Sequence, residues 1–171
     1  IKSFKQPQFL FIAGTPRSGG TATYMSLDNH SEILVWLDGD TMRNIFGSKW
    51  GYATDERREL ARVYSELALH LVHSGIDVVC STIAMFHDAR KWNRDNIPLY
   101  IEVFLSVPED VLEKRDSKKL YNKYMGTNSR DSVLFDEFEL PKLSDIVIDN
   151  FGTCTIDVAA NKILTYIYSN V

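Results

Sequence analysis

A single α/β domain, built on a five-stranded parallel sheet with helices on both faces, is the fold this sequence predicts. Three observations predict it. Short, β-rich apolar runs alternate along the chain with stretches of helical periodicity. Those runs are mostly apolar throughout rather than alternating, as expected of strands buried on both faces. The first run also passes directly into a glycine-rich turn, Gly14-Thr15-Pro16-Arg17-Ser18-Gly19-Gly20-Thr21. At 171 residues the chain is one domain with room for one substantial core.

The elements follow in order. Phe9–Ala13 is the first strand. In the turn after it, small residues let successive backbone N–H groups converge on phosphate oxygens, and a following helix adds its positive N-terminus. The plainer reading is a glycine-rich turn with no ligand. Ile33–Leu37 is the second strand, and Asp38-Gly39-Asp40 follow it directly. Leu60, Val63, Tyr64, Leu67, Ala68, Leu71 and Val72 form one helical stripe, which Gly75 ends. Asp77–Cys80 and Leu99–Leu105 are the third and fourth strands. Approximately Asp116 to Leu140 has little periodicity and reads as a mobile lid. Asp145–Ile148 is the fifth strand. Ile156, Ala159, Ala160, Ile163, Leu164, Ile167 and Tyr168 make a last stripe, with Thr155 placed to cap it. Strand, helix, strand connections give a parallel sheet with right-handed crossovers. Ligands of such sheets sit beyond the carboxyl ends of the strands, so Gly14, Asp38 and the segment after Ser81 fall on one rim.

Several rim residues carry chemistry. Asp38 and Asp40 either cap the helix beginning near Thr41, or orient Mg²⁺-bound water and accept a proton from an attacking hydroxyl. Arg43 is either a cleft residue or a solvated helix cation. Arg57, Arg58 and Arg62 open the long helix, where cations oppose the macrodipole; an anionic ligand explains them, and so do Asp55, Glu56 and Glu59 nearby. Arg115, Lys118, Lys119 and Lys123 begin the lid, as cations that close on phosphates or as a solvated charge run. His30, His70, His73 and His87 are scattered and read as non-ligands.

Composition narrows the classes. Net charge of -4 argues against a general nucleic-acid binder. Cys80 and Cys154 offer neither metal spacing nor a disulfide framework, which suggests a reducing cytoplasm. No apolar run approaches the roughly 18 residues of a membrane span, and no signal-peptide pattern opens the chain. A homodimer stays open.

The turn resembles the Walker A pattern G-x-x-x-x-G-K-[ST]: Gly14, Gly19 and Thr21 fit, and Gly20 stands where the lysine belongs. Further motifs occur in a fixed order. Leu37-Asp38-Gly39-Asp40-Thr41-Met42-Arg43 resembles L-D-G-D-N-x-R. Gly51-Tyr52 with Asp55-Glu56-Arg57 resembles G-[FY]-S-x-x-D-R. Ile101-Glu102-Val103-Phe104, Pro108 and Arg115-Asp116-Ser117-Lys118-Lys119-Leu120-Tyr121-Asn122-Lys123 resemble E-V-[FY]…P…R-D-x-K-x-L-Y-x-K. Leu140-Pro141 and Ile146-Val147-Ile148-Asp149-Asn150 resemble the closing P-x-x-x-L-x-[IL]-D. Together they resemble the adenylylsulfate kinase (APS kinase) family over nearly the whole chain.

That resemblance implies a P-loop NTPase kinase fold, with strand order 2-3-1-4-5, and Mg²⁺-ATP-dependent phosphorylation of the 3′-hydroxyl of adenylyl sulfate or a related nucleotide. It implies Asp38 as the catalytic carboxylate and Arg17 as a partial substitute for the lysine. Gly14, Pro16, Arg17, Ser18, Gly19, Gly20, Thr21, Arg115 and Lys118 would hold ATP, with Thr21 on the metal. Asp40, Arg43, Arg57, Thr82, Ile83, Lys119 and Lys123 would face the substrate. Three departures bear on the base. Leu60 stands where the family carries a substrate-binding Asn, Thr82 where a Phe stacks on adenine, and Ala84 where it has a phosphorylatable Ser. They point toward another nucleotide such as cytidine diphosphoramidate, or toward a catalytically impaired nucleotide- or phosphosulfate-binding protein. One further segment, Thr15 to Thr21, is similar to the T-P-[KR]-S-G-T-T loop of sulfotransferases.

Overall fold

The computed structural model describes residues 9–14, 34–47, 53–82, 86–115 and 139–170. Among them, five strands form one parallel sheet: β1 (Phe9–Gly14), β2 (Leu34–Asp38), β3 (Asp77–Ser81), β4 (Tyr100–Ser106) and β5 (Ile146–Asp149). Their spatial order is β2-β3-β1-β4-β5, the order expected from the sequence. Every expected strand is present, its ends within one residue of those read from the apolar runs. The helices are α1 (Gly39–Phe46), α2 (Thr54–His73), α3 (His87–Asn96), α4 (Glu109–Lys114) and α5 (Ile156–Asn170).

The sheet is buried on both faces, which is why its strands read as continuous apolar runs. On one face Leu37, Val78 and Cys80 pack with Met42 of α1 and with Leu60, Tyr64, Ala68 and Val72 of α2. On the other, Leu10, Ile12, Val103, Leu105 and Ile148 pack with Ala159, Ile163 and Ile167 of α5. Leu105, Ile148 and Ile163 are fully buried. Each such side chain contributes up to about 2 kcal/mol of transfer free energy, an upper estimate because unfolded chains are partly compact.

Helix ends follow their local chemistry. After α2, Gly75 adopts φ +84°, in the left-handed region, and its N–H donates to the Val72 carbonyl at 3.0 Å. Leu99 also has positive φ, 52°, and ends a turn. That is why β4 begins at Tyr100 and not at Leu99. Thr155 does cap α5, its Oγ1 accepting the Val158 N–H at 3.3 Å. Thr155→Ala is therefore expected to cost about 1 kcal/mol in urea unfolding, with Thr155→Ser near neutral. An unshifted midpoint for the alanine variant would show the cap to be silent.

A buried polar knot ties α3 to β4 and β5. Glu102 accepts hydrogen bonds from Tyr100 Oη at 3.1 Å and Ser144 Oγ at 2.9 Å, and Arg90 Nε lies 3.9 Å away. The Glu102 N–H donates to Asp145 at 2.7 Å, and Asp145 returns its own N–H to the Glu102 carbonyl. Burial, with Glu102 second, pushes the Tyr100 hydroxyl pKa up.

The register sets the functional rim. Asp38 lies opposite Ser81, Gly14 opposite Leu105, and Ser106 opposite Asp149. β1 is central, with β3 on one side and β4 on the other. The chain goes first to β2 and β3, then crosses to β4, so the sheet order reverses at β1. Open parallel sheets bind ligands in the crevice at that point.

Candidate active site

Asp38 ends β2 and is also the N-cap of α1. Its Oδ2 accepts from the Thr41 N–H and from Thr41 Oγ1, both at 3.0 Å. The capping role weighed against a chemical one is thus real, and it engages one carboxylate oxygen. It fixes the half-buried carboxylate at the mouth of the crevice. Asp40 lies in the first turn of α1 and is exposed.

Thr82 comes to the same place from β3. A Cβ built on Gly39 would meet Thr82 Cα, Cβ and Cγ2 at 3.8 Å, so α1 starts directly against this residue. Thr82 is buried, and its Oγ1 lies 4.0 Å from the sulfur of Cys80. Burial pushes the Cys80 thiol up to about 12, which keeps it protonated and inert. Tyr64 of α2 closes the floor. It stacks on Phe46 with centroids 6.4 Å apart, and its hydroxyl donates to the Gly39 carbonyl at 3.4 Å. Burial raises the Tyr64 pKa to about 12; Arg43 works against the rise, and Cys80, Asp38 and Asp40 add to it.

A second group gathers where α2 and α3 begin. Phe86, fully buried, precedes α3. The Arg58 guanidinium lies 4.4 Å from its ring centroid and the Arg57 guanidinium 5.5 Å. Both are cation–π distances. Arg57 is buried. Arg58 bonds Asp88 Oδ2 at 2.8 Å and Glu139 Oε1 at 3.2 Å. Burial opposes the Arg58 charge, but Asp88 and then Glu139 outweigh it, and the pKa rises. Glu139 Oε2 accepts the His87 N–H, and its carbonyl accepts Arg90 Nη2 at 2.6 Å. The His87 N–H, assisted by Arg58, holds the Glu139 carboxyl below the ordinary range against some desolvation. A carboxyl depressed in the folded state contributes stability above its unfolded pKa and loses it as pH falls through the folded value.

The sequence-predicted residues divide accordingly. Asp38 ends β2 and Thr82 follows β3 beside the start of α1, Asp40 and Arg43 lie along α1, and Arg57 stands in the first turn of α2. Gly14 ends β1 at the centre. Arg115 is elsewhere: its Nη2 donates to the Asn150 carbonyl, after β5, at 2.9 Å. Edge strands β2 and β5 are four spacings apart, about 19 Å at the usual strand separation, so Arg115 is not part of the Asp38 group. Pro16, Arg17, Ser18, Gly19, Gly20, Thr21, Ile83, Lys118, Lys119 and Lys123 lie outside the described residues, as does the expected lid except for Glu139 and Leu140. Of those two, Glu139 is bonded to α2 and α3. Leu60, read on the apolar stripe of the long helix, lies in the core with Leu37, Met42 and Tyr64, 2 % exposed.

Sequence reasoning missed Phe86 and Glu139. An aromatic just before a helix was a weak available signal for Phe86. Glu139 carried none, since its partners are 49 to 81 residues away. Among the described residues no three His, Cys, Asp or Glu side chains gather as a metal site, and no helix is long and apolar enough to cross a membrane.

Known proteins match this architecture. The family model for adenylylsulphate kinase matches residues 6–149. A cytidine diphosphoramidate kinase of Campylobacter jejuni is 32% identical over 149 residues, covering 84% of this chain and 86% of that one. An adenylyl-sulfate kinase of Pseudomonas aeruginosa is 28% identical over 173 residues, covering 97% and 88%. In fold, the chain is similar to the Mycobacterium tuberculosis APS kinase solved with AMPPNP and APS, with TM-score 0.80, 22% identity, and coverage of 95% and 98%.

Proposed function

This chain belongs to the adenylylsulphate kinase family, a family of phosphotransferases, and from that premise we propose that it moves the γ-phosphoryl group of ATP to a hydroxyl of adenylyl sulfate or a related nucleotide. The observation that carries the proposal is the Asp38 carboxylate, held by its own helix cap beside Thr82 at the sheet's crevice.

The substrate hydroxyl forms a new bond to the γ-phosphorus as the bond from that phosphorus to the β-phosphate oxygen breaks. ADP leaves, and the hydroxyl proton passes to Asp38 and then to solvent. Arg43 and Arg57 supply positive charge to the anionic end of the substrate. The backbone from Gly14 to Thr21, with Arg17, takes the triphosphate; Arg115 and Lys118 belong to the same nucleotide side. Mg²⁺ takes hard oxygen donors, and the Thr21 hydroxyl would be this chain's ligand to it. When bound, the metal neutralises charge on the transferring phosphates. A cytoplasmic homodimer belongs to the same reading.

Two residues favour cytidine diphosphoramidate as a second reading of the substrate. Thr82 offers no aromatic face, and Leu60 is committed to the core; a relative 32% identical is named for that activity. Base–aromatic stacking is worth ~1–3 kcal/mol in comparable settings. Adenylyl sulfate is thus expected to bind roughly 5- to 150-fold more weakly than in relatives carrying the Phe and Asn. Restoring Asn at position 60 is not expected to help, because it would bury an amide among Leu37, Met42 and Tyr64. Calorimetric titration and ATP-dependent turnover with both nucleotides test the reading. Turnover of either supports a kinase, and tight adenylyl-sulfate binding rejects the second reading. Binding without turnover leaves a nucleotide-binding protein, and neither binding nor turnover rejects the function.

A further inference from the structure

Helix α3 lacks a cap of its own. Its N-cap residue is Phe86, which has no side-chain hydrogen bond to offer, and the first helical N–H, that of His87, points to Glu139 instead. Glu139 lies 52 residues further along the chain. The same carboxylate bonds Arg58 on α2, and the same residue's carbonyl takes Arg90 of α3. One residue from the approach to β5 therefore joins the starts of two helices.

What it joins them around is the ring of Phe86. Arg58 is held over that ring by Asp88 on one side and Glu139 on the other, and Arg57 approaches the same ring from the preceding residue. We propose that Glu139 is a positioning residue: it locks Arg58 onto Phe86 and so sets the direction in which the Arg57 guanidinium faces the anionic end of the nucleotide substrate. The proposal rests on the substrate-side role of Arg57 given above. A carboxylate suits the task because one oxygen satisfies the orphan N–H of the helix and the other holds the cation. Small misplacements of a binding group are costly where geometry sets the rate or affinity. In the reading above ATP takes the Gly14 side of the crevice, whereas this group gathers where α2 and α3 begin.

The test uses the full chain with Glu139→Gln, Arg58→Gln and the double variant. Gln keeps an acceptor for the His87 N–H and removes the charge that holds Arg58. The expected result is a rise of about tenfold in KM for the nucleotide substrate, the scale of one lost charge-assisted hydrogen bond. KM for ATP and kcat stay near the parent values. The double variant is expected to lose no more than either single one, since both break the same clamp. Equal changes in both KM values, or additive losses, would overturn the proposal in favour of a helix cap alone. Side-chain nitrogen NMR of the guanidinium groups decides the matter without turnover. Shifts at both Arg58 and Arg57 in Glu139→Gln support the clamp, and an unmoved Arg57 signal sinks it. If the parent chain neither binds nor phosphorylates any nucleotide, the functional reading fails, and the Arg57 signal still decides for or against the clamp.

Discussion

Asp38→Asn is expected to lower kcat by about 10²–10⁴-fold, the usual contribution of a positioned general base, with little change in KM or in stability. The three expectations have one origin. Asp38 has two jobs, and the substitution separates them. As a cap it accepts the Thr41 N–H and hydroxyl through Oδ2. Asn is as good an N-cap as Asp, so α1 should start where it does now and unfold at the same denaturant concentration. As a base it must accept a proton while the substrate oxygen attacks, and an amide cannot. An interaction made only in the transition state is lost from kcat and kcat/KM alike. Asp38→Ala should show the contrast, adding a stability loss of about 1 kcal/mol to the same loss of rate. Steady-state kinetics and urea unfolding on the two variants suffice. An Asn variant with parental kcat would reduce Asp38 to a helix cap.

The fold was legible because its signals are local. Phe9–Gly14, Asp77–Ser81 and Tyr100–Ser106 are apolar runs that only a doubly covered sheet can bury, and the stripe from Leu60 to Val72 has one place to go. The strand order followed from the family resemblance, because right-handed crossovers alone leave several orders open. The start of β4 was not legible, because nothing in Leu99 announces a left-handed φ. The site was legible where a residue's role follows from its own position, as for Asp38 at a strand end. It was not legible where the role comes from distant partners. Glu139 sits in an aperiodic stretch, and only the folded chain brings it to His87, Arg58 and Arg90. Leu60 was legible in the same way as the strands: its helical phase with Tyr64 and Ala68 marked it for the core, where it lies.

Gly20→Lys is the second large effect expected, and it runs upward. In the Walker pattern that Gly14, Gly19 and Thr21 match, position 20 carries the lysine that neutralises charge on the β- and γ-phosphates. Removing one transition-state donor typically costs about 10²–10³ in rate, so supplying it should raise kcat by a similar factor. The gain is expected in kcat more than in the KM for ATP, because the charge it meets develops as the phosphoryl group leaves. Arg17 conditions the size of the gain. If Arg17 already supplies that cation, Arg17→Ala should lower turnover in the parent chain and have little effect in the Gly20→Lys background. Two cations acting on one phosphate group should be non-additive in this way. Single-turnover kinetics on the parent, both single variants and the double variant measure each effect. No gain from the lysine with adenylyl sulfate or with a cytidine nucleotide, together with no loss on Arg17→Ala, would mean that the loop is not a weakened kinase loop. No gain with a loss on Arg17→Ala would instead mean that Arg17 already supplies the whole of the missing charge.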